Sequence, residues 1–269
     1  MRYFGFLARF VIVPLAVLRV LLWWDRRRGR MMPAELTHWP EEKALLAHAV
    51  VAVAYTTIWD NYLVASKIWG YDRNLVAGIR LGWVPAEEYA FFVLQPLLTG
   101  SLLQVMARRI EADPPTGNAM RVERAGVTAG LGGAWALSLF GLARGGPRLR
   151  YMTLITSWAL PPIMLQTAFG GDILWRHRKM IARTIISASL YLSAADSHAI
   201  EAGTWHISRK KTLGLNVIPK LPIEEFVFFC LTNTLLAFGV TLVLSKESEQ
   251  RLPGFLRAPY ARFRSRYLS

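Results

Sequence analysis

Seven apolar stretches punctuate the chain, at residues 3–24, 44–64, 84–107, 125–143, 151–170, 184–203 and 222–244. Each is near the roughly 20 residues that carry a helix across a bilayer. The first could be taken for a secretory leader, since Arg2 precedes it, but no small-residue cleavage site follows. Trp23-Trp24 and then Asp25-Arg26-Arg27-Arg28 follow instead, an aromatic and basic border that anchors a helix end at the membrane interface. Arg9 and Arg19 lie near the ends of that stretch, where long side chains reach the headgroups. The pattern predicts an all-α integral membrane protein with seven transmembrane helices.

Composition sharpens this picture. The chain of 269 residues is 53% hydrophobic, has a mean hydropathy of +0.28, and carries a net charge of +14. Such a charge ordinarily suggests nucleic acid, but binders of that kind are seldom so apolar, so no nucleic-acid partner is expected. The basic residues fall between the spans, 19 on one side and 11 on the other. That bias predicts a multi-pass protein of the cell membrane with its N-terminus outside and its C-terminus cytoplasmic. Cys230 is the only cysteine, which excludes an internal disulfide and any multi-cysteine metal site.

The two halves repeat each other. The first copy reads Trp59-Asp60-Asn61, then Trp69, then Val84-Pro85-Ala86-Glu87-Glu88-Tyr89-Ala90-Phe91-Phe92. The second reads Ala195-Asp196-Ser197, then Trp205, then Leu221-Pro222-Ile223-Glu224-Glu225-Phe226-Val227-Phe228-Phe229. Asp and Trp are nine positions apart in both. Spans 1–3 therefore pair with spans 5–7 as two parallel three-helix repeats joined by a connector helix, and duplicated halves of this kind commonly enclose one site between them. The corresponding division is residues 1–110, a linker with span 4 over 111–149, residues 150–245, and a basic cytoplasmic tail over 246–269.

Position on the helix gives the motif its chemistry. Pro85 and Pro222 suit a first helical turn, and the Glu pairs that follow sit where the helix dipole favours negative charge. Helical spacing from Glu88 leads to Phe91, Phe92 and Gln95, and from Glu225 to Phe228, Phe229 and Thr232. Asp60 and Asp196 lie near the ends of the preceding spans, where a helix–loop–helix connection could bring them close to the Glu pairs. Each feature also has an ordinary explanation: Pro-x-Glu-Glu caps helices, Phe-Phe packs, Trp69 and Trp83 belong to interface belts, His48 and His198 are structural, and Lys67 or Arg73 pairs with Asp60. Repetition shifts the balance, because capping needs no duplicated Asp and Trp upstream.

These residues resemble the membrane lycopene cyclases, found as two small subunits in some bacteria, as tandem fusions in archaea, and joined to a phytoene synthase in fungi. The resemblance is carried by Trp59-Asp60-Asn61-Tyr62 with Ile68-Trp69, by both Pro-x-Glu-Glu blocks, and by Gly170-Gly171-Asp172-Ile173-Leu174-Trp175. It covers nearly the whole chain and implies the fused form. It further implies that the acyclic ends of lycopene are closed to β-ionone rings by protonation, attack of the neighbouring double bond on the cation, and loss of a proton, with no redox change and no cofactor. Glu87, Glu88, Glu224, Glu225, Asp60 and Asp196 are then the catalytic candidates, with Glu87 and Glu224 the less replaceable of the pairs. Trp59, Trp69, Phe91, Phe92, Gln95, Trp205, Phe228 and Phe229 are the candidate walls for the carotenoid. Membrane lipid and other carotenoid-pathway enzymes are the further partners implied.

Rival functions separate on residues. The stretch Gly130-Leu131-Gly132-Gly133-Ala134-Trp135 lies inside span 4 and lacks the third glycine of a dinucleotide fingerprint. No Asp-x-x-x-Asp pair is present to hold a magnesium diphosphate. Span 7 has no lysine for a retinal Schiff base. A proton-coupled carrier shares the architecture of parallel repeats with intramembrane acids, and a C50 carotenoid or a γ- or ε-ring product would differ only in pocket shape.

Overall fold

The computed structural model of the protein describes residues 1–114 and 120–267. The middle of the expected linker, 115–119, and the last two residues of the basic tail lie outside them. Every apolar stretch coincides with a helix: α1 Tyr3–Arg27, α2 Glu41–Ala65, α3 Ala86–Ala107, α4 Met120–Arg144, α5 Arg150–Arg176, α6 Arg178–Glu201 and α7 Ile223–Leu244. Two shorter helices follow, α8 Lys246–Gln250 and α9 Gly254–Tyr267. This is an all-α membrane protein: α1, α3, the Glu123–Arg144 part of α4, and α7 are each long and apolar enough to cross a bilayer.

The helices outrun several of the apolar stretches. Helix α5 continues to Arg176 and α6 begins at Arg178, because intrahelical hydrogen bonds persist where the side chains turn polar. Gly170 interrupts α5 with φ −146° and ψ 35°. Leu242 of α7 lies where a side chain at that position would go, so close helix approach explains the glycine. In α1 the turn over Ala8–Ile12 widens to a π-helix just before Pro14, which has no N–H to continue the regular ladder.

Helices α3 and α7 form the centre. Helix α3 packs on α1 and α2, and α7 on α5 and α6; across the middle α3 meets α6, α2 meets α7, and α3 meets α7. Helix α4 lies against α5 and is otherwise exposed. The apolar core has two parts. One gathers Tyr3, Phe6, Trp59, Tyr151, Ile155, Leu192 and Phe228; the other gathers Leu36, Leu45, Leu103, Ile173, Val240 and Leu244. A buried polar bridge also joins the central helices: Asn233 Oδ1 accepts from Gln95 Nε2 at 2.9 Å and Thr99 Oγ1 at 2.8 Å, and Asn233 Nδ2 donates to Ser189 Oγ at 3.1 Å.

Short strands order the loops at one end of the bundle. They are β1 Trp69–Tyr71, β2 Arg80–Leu81, β3 Val84–Pro85, β4 Trp205–Ile207, β5 Asn216–Ile218 and β6 Leu221–Pro222. β1 pairs antiparallel with β4, in the register Trp69↔Ile207 and Tyr71↔Trp205, tying the two halves together. Pro85 and Pro222 end β3 and β6 in extended conformation, one residue before their helices rather than in the first turn. The fixed proline φ suits either position, and the strand pairing selects the extended one.

Candidate active site

The starts of α1, α3, α5 and α7 and the ends of α2 and α6 converge beneath the β1–β4 ribbon. Asp60, Glu87, Glu88, Asp196, Glu224 and Glu225 all meet there, and all are buried. Among the described residues none of the six forms an ion pair. Lys67 and Arg73 therefore do not serve Asp60, which is fully buried with neither oxygen hydrogen-bonded.

Within each Glu pair the two residues face different ways, since successive helix positions point about 100° apart. Glu87 Oε1 accepts the backbone N–H of Ala77 at 2.6 Å, and Glu224 Oε1 accepts that of Leu213 at 2.6 Å. The first Glu thus anchors the loop that leads into its helix. The second faces inward: Glu88 Oε2 accepts the hydroxyls of Tyr3 at 2.6 Å and Tyr71 at 2.9 Å. Glu225 Oε1 accepts the Tyr151 hydroxyl at 2.6 Å and Trp69 Nε1 at 3.2 Å. Asp196 Oδ1 accepts Trp205 Nε1 at 2.7 Å. In the β1 loop, burial and then the nearby Glu88 charge push the Tyr71 hydroxyl well above the usual phenol range, so it remains a donor.

A narrow cavity of about 40 Å³ brings Glu88, Glu225 and Asp196 together with Trp69, Trp205, Phe91, Phe228 and Phe229. A second cavity of about 40 Å³ shares Glu88, Phe91, Phe228 and Phe229 and extends to Phe92, Gln95 and Trp158. Trp59 stands behind this wall, stacked on Phe228 at 5.6 Å between ring centres and on Trp158 at 4.6 Å. Of the sequence-predicted residues, Glu87, Glu224, Asp60 and Trp59 lie in the cluster but line neither cavity. Trp69 is half-buried against the first core and lines the cavity rather than standing in an interface belt; Trp83 is exposed.

Four contributors escape the motif: Tyr3, Tyr71, Tyr151 and Trp158. Two carried a signal, because Arg2-Tyr3 opens the first span and Arg150-Tyr151 opens the fifth, matching positions of the two halves. A tyrosine at a span end ordinarily reads as an interface residue, which hid them.

The geometry defines a class: a helical membrane protein whose inward-facing acids, held by phenol and indole donors, open on a small aromatic cavity. Comparison with known proteins makes the assignment particular. A family model described as lycopene cyclase matches residues 6–106. The chain is 38% identical over 244 residues to the lycopene beta-cyclase of Halobacterium salinarum, covering 89% of this chain and 94% of that protein. It is 32% identical over 203 residues to the bifunctional lycopene cyclase/phytoene synthase of Blakeslea trispora, covering 72% of this chain and 32% of that one. The bifunctional protein of Podospora anserina is 34% identical over 205 residues, covering 72% and 34%. No solved structure matches. The chain belongs to the lycopene cyclase family.

Proposed function

We propose that this enzyme closes the acyclic ends of lycopene to β-ionone rings by proton-initiated, non-redox carbocation cyclisation. The observation that carries the site assignment is the meeting of Glu88 and Glu225, one from each half, on a single aromatic cavity. One of these carboxyl groups, carrying its proton, adds it to the terminal double bond and leaves a tertiary cation. The neighbouring double bond attacks, the six-membered ring closes, and a carboxylate takes a proton from the adjacent carbon. Added and lost protons balance. The faces of Phe91, Phe228 and Phe229 support the transient cation, and the narrow aromatic lining leaves little room for water to capture it. Tyr3, Tyr71 and Tyr151 orient the acids by donating to them.

The matched bonds at Glu87 and Glu224, at Tyr3 and Tyr151, and in the packing of α1–α3 and α5–α7 support two parallel three-helix repeats joined by α4, with seven membrane-crossing helices. On that reading the chain divides at residues 1–110, 111–149, 150–245 and 246–269, and the loop charges put the N-terminus and the acid cavity outside and the C-terminus in the cytoplasm. The carotenoid arrives from the bilayer, and pathway enzymes that supply it are natural neighbours.

Replacing each Glu of the two pairs by Gln in a lycopene-accumulating host, with pigments separated chromatographically, tests the assignment. Ring formation is expected to fail in the Glu88 and Glu225 variants. Unchanged rings in all four single variants would overturn it.

A further inference from the structure

Two of the prolines inside helices, Pro14 in α1 and Pro162 in α5, free carbonyl groups at matching positions of the two halves. Pro14 offers no N–H to the carbonyl of Phe10, nor Pro162 to that of Trp158, four residues earlier in each case. In lipid, an unpartnered carbonyl finds no water. A tyrosine from across a helix seam meets each one. Tyr191 of α6 donates its hydroxyl to the Phe10 carbonyl of α1 at 3.0 Å, and Tyr55 of α2 donates to the Trp158 carbonyl of α5 at 2.7 Å. Tyr55 and Tyr191 stand five residues before Asp60 and Asp196, so the latch recurs in both halves.

Behind the two latches the seams differ. From Tyr55, which is 42% exposed, near-parallel rings run inward. Tyr55 stacks on Trp158 at 5.2 Å and 22°, Trp158 on Trp59 at 4.6 Å and 17°, and Trp59 on Phe228 at 5.6 Å and 9°. The second cavity follows the same seam, with Ala52, Thr56 and Trp158 at its outer side and Glu88 and Phe228 at its inner side. Behind Tyr191 the residue in the place of Trp59 is Ala195, and Phe10 meets Phe6 and His198 instead.

We infer that the α2–α5 seam is the slot in which the linear polyene lies, entering from the bilayer past the Tyr55–Trp158 latch while its end group occupies the cavity at Glu88 and Glu225. Flat stacked rings offer a conjugated chain a continuous apolar wall, and the slot meets the acids at one end and exposed side chains at the other. The inference rests on the cyclase reading of the inner cavity and adds the route to it, with Tyr55 and Trp158 as substrate-binding residues.

The test uses the full chain in lipid nanodiscs, measuring ring formation against the mole fraction of lycopene and, separately, the lycopene retained by the protein. Trp158→Ala is expected to raise the apparent KM on the order of tenfold with kcat within about twofold, and to lower retention. Trp158→Phe restores most of the affinity, and Tyr55→Phe shifts KM by about two- to threefold. Phe10→Ala, at the matching position of the other seam, leaves KM unchanged. Wild-type KM and retention in Trp158→Ala, or an equal rise in Phe10→Ala, overturns the slot. If Trp158→Ala does not fold, an unchanged KM in both Trp158→Phe and Tyr55→Phe overturns it. A wild-type chain that closes no ring yet retains lycopene through Trp158 overturns the cyclase reading and leaves the slot standing.

Discussion

The two ends of the helix bundle treat acidic residues in opposite ways. At the end where α1, α2 and α3 meet α5, α8 and α9 through loops and helix termini, Asp25, Glu41, Glu42, Asp113, Asp172, Glu247 and Glu249 each have a basic partner. Asp25 is buried, with Arg109 at 2.7 Å, and both oxygens of Glu41 accept from Arg108 at 2.7 and 2.6 Å. At the other end six buried acids gather, and among the described residues none has a cation. Five of them accept from phenols, indoles or backbone N–H groups, and Asp60 has no donor. A buried acid held by a cation is committed to its charge, and removing one partner leaves the other uncompensated. An acid held by neutral donors keeps both protonation states within reach, as proton transfer requires. The difference teaches that the molecule spends its arginines on architecture and withholds them from the cavity.

The largest break in this contrast is expected at the inward-facing acids. Glu88→Gln and Glu225→Gln keep the size and acceptor oxygen of the side chain but remove the transferable proton. Ring formation should fall on the order of 10²- to 10⁴-fold in each, the range ascribed to a positioned acid or base. Pigment turnover by purified protein in lipid measures it. Loss confined to one of the two would assign the halves unequal roles, consistent with Ala195 standing where Trp59 does.

Next come the phenols. Tyr3→Phe and Tyr151→Phe each delete one donor to an inward carboxyl while leaving the ring in the core. A fall in kcat on the order of tenfold is expected, matching a hydrogen bond to a charged group. A change in KM alone would instead make the tyrosines part of the wall. The outer acids of the motif sharpen the same point: Glu87→Gln can still accept from Ala77, so its activity should stay within about tenfold of wild type, whereas Glu87→Ala frees the loop. If Glu87→Gln is as damaging as Glu88→Gln, the division of labour within each pair is wrong.

The helices were legible in the sequence because apolar length and period respond to the bilayer directly, and all seven stretches are helical. The acid pairs were legible because they recur. Which Glu of each pair faces the cavity was not, since a helix start can rotate either way until β3 and β6 fix where it begins. Trp158 stayed hidden for a related reason: its role depends on Pro162 freeing a carbonyl four residues back and on Tyr55 reaching it from another helix. The proline and the two tyrosines recur in both halves, at Pro14 and Pro162, Tyr55 and Tyr191, Tyr3 and Tyr151. The repeat therefore extends through the apolar stretches themselves and is not confined to the acid motif. The Gly170-Gly171-Asp172 stretch of the family resemblance belongs to the other end, where the glycine lets α5 approach α7.

The smallest effect is expected there, and it tests the contrast from the opposite side. Asp172 accepts two hydrogen bonds from Arg251, at 2.6 and 2.5 Å, and Arg124 approaches at 3.5 Å, so the pair ties the end of α5 to the turn after α8. Both side chains are about one quarter exposed, at 26% and 25%, so solvent and lipid headgroups screen part of the attraction. Asp172→Asn removes the charge and keeps an acceptor. It should cost about 1 kcal/mol of stability, a fall of roughly 2–4 °C in Tm for a chain of this size. Ring formation below the transition should be unchanged, because among the described residues neither Asp172 nor its partners line the cavity. Arg251→Ala should match it in direction and exceed it, since it leaves Asp172 with the more distant Arg124 alone. A loss of kcat in Asp172→Asn without a change in Tm would mean that the two ends are coupled, and the separation between architectural and chemical acids would have to be abandoned.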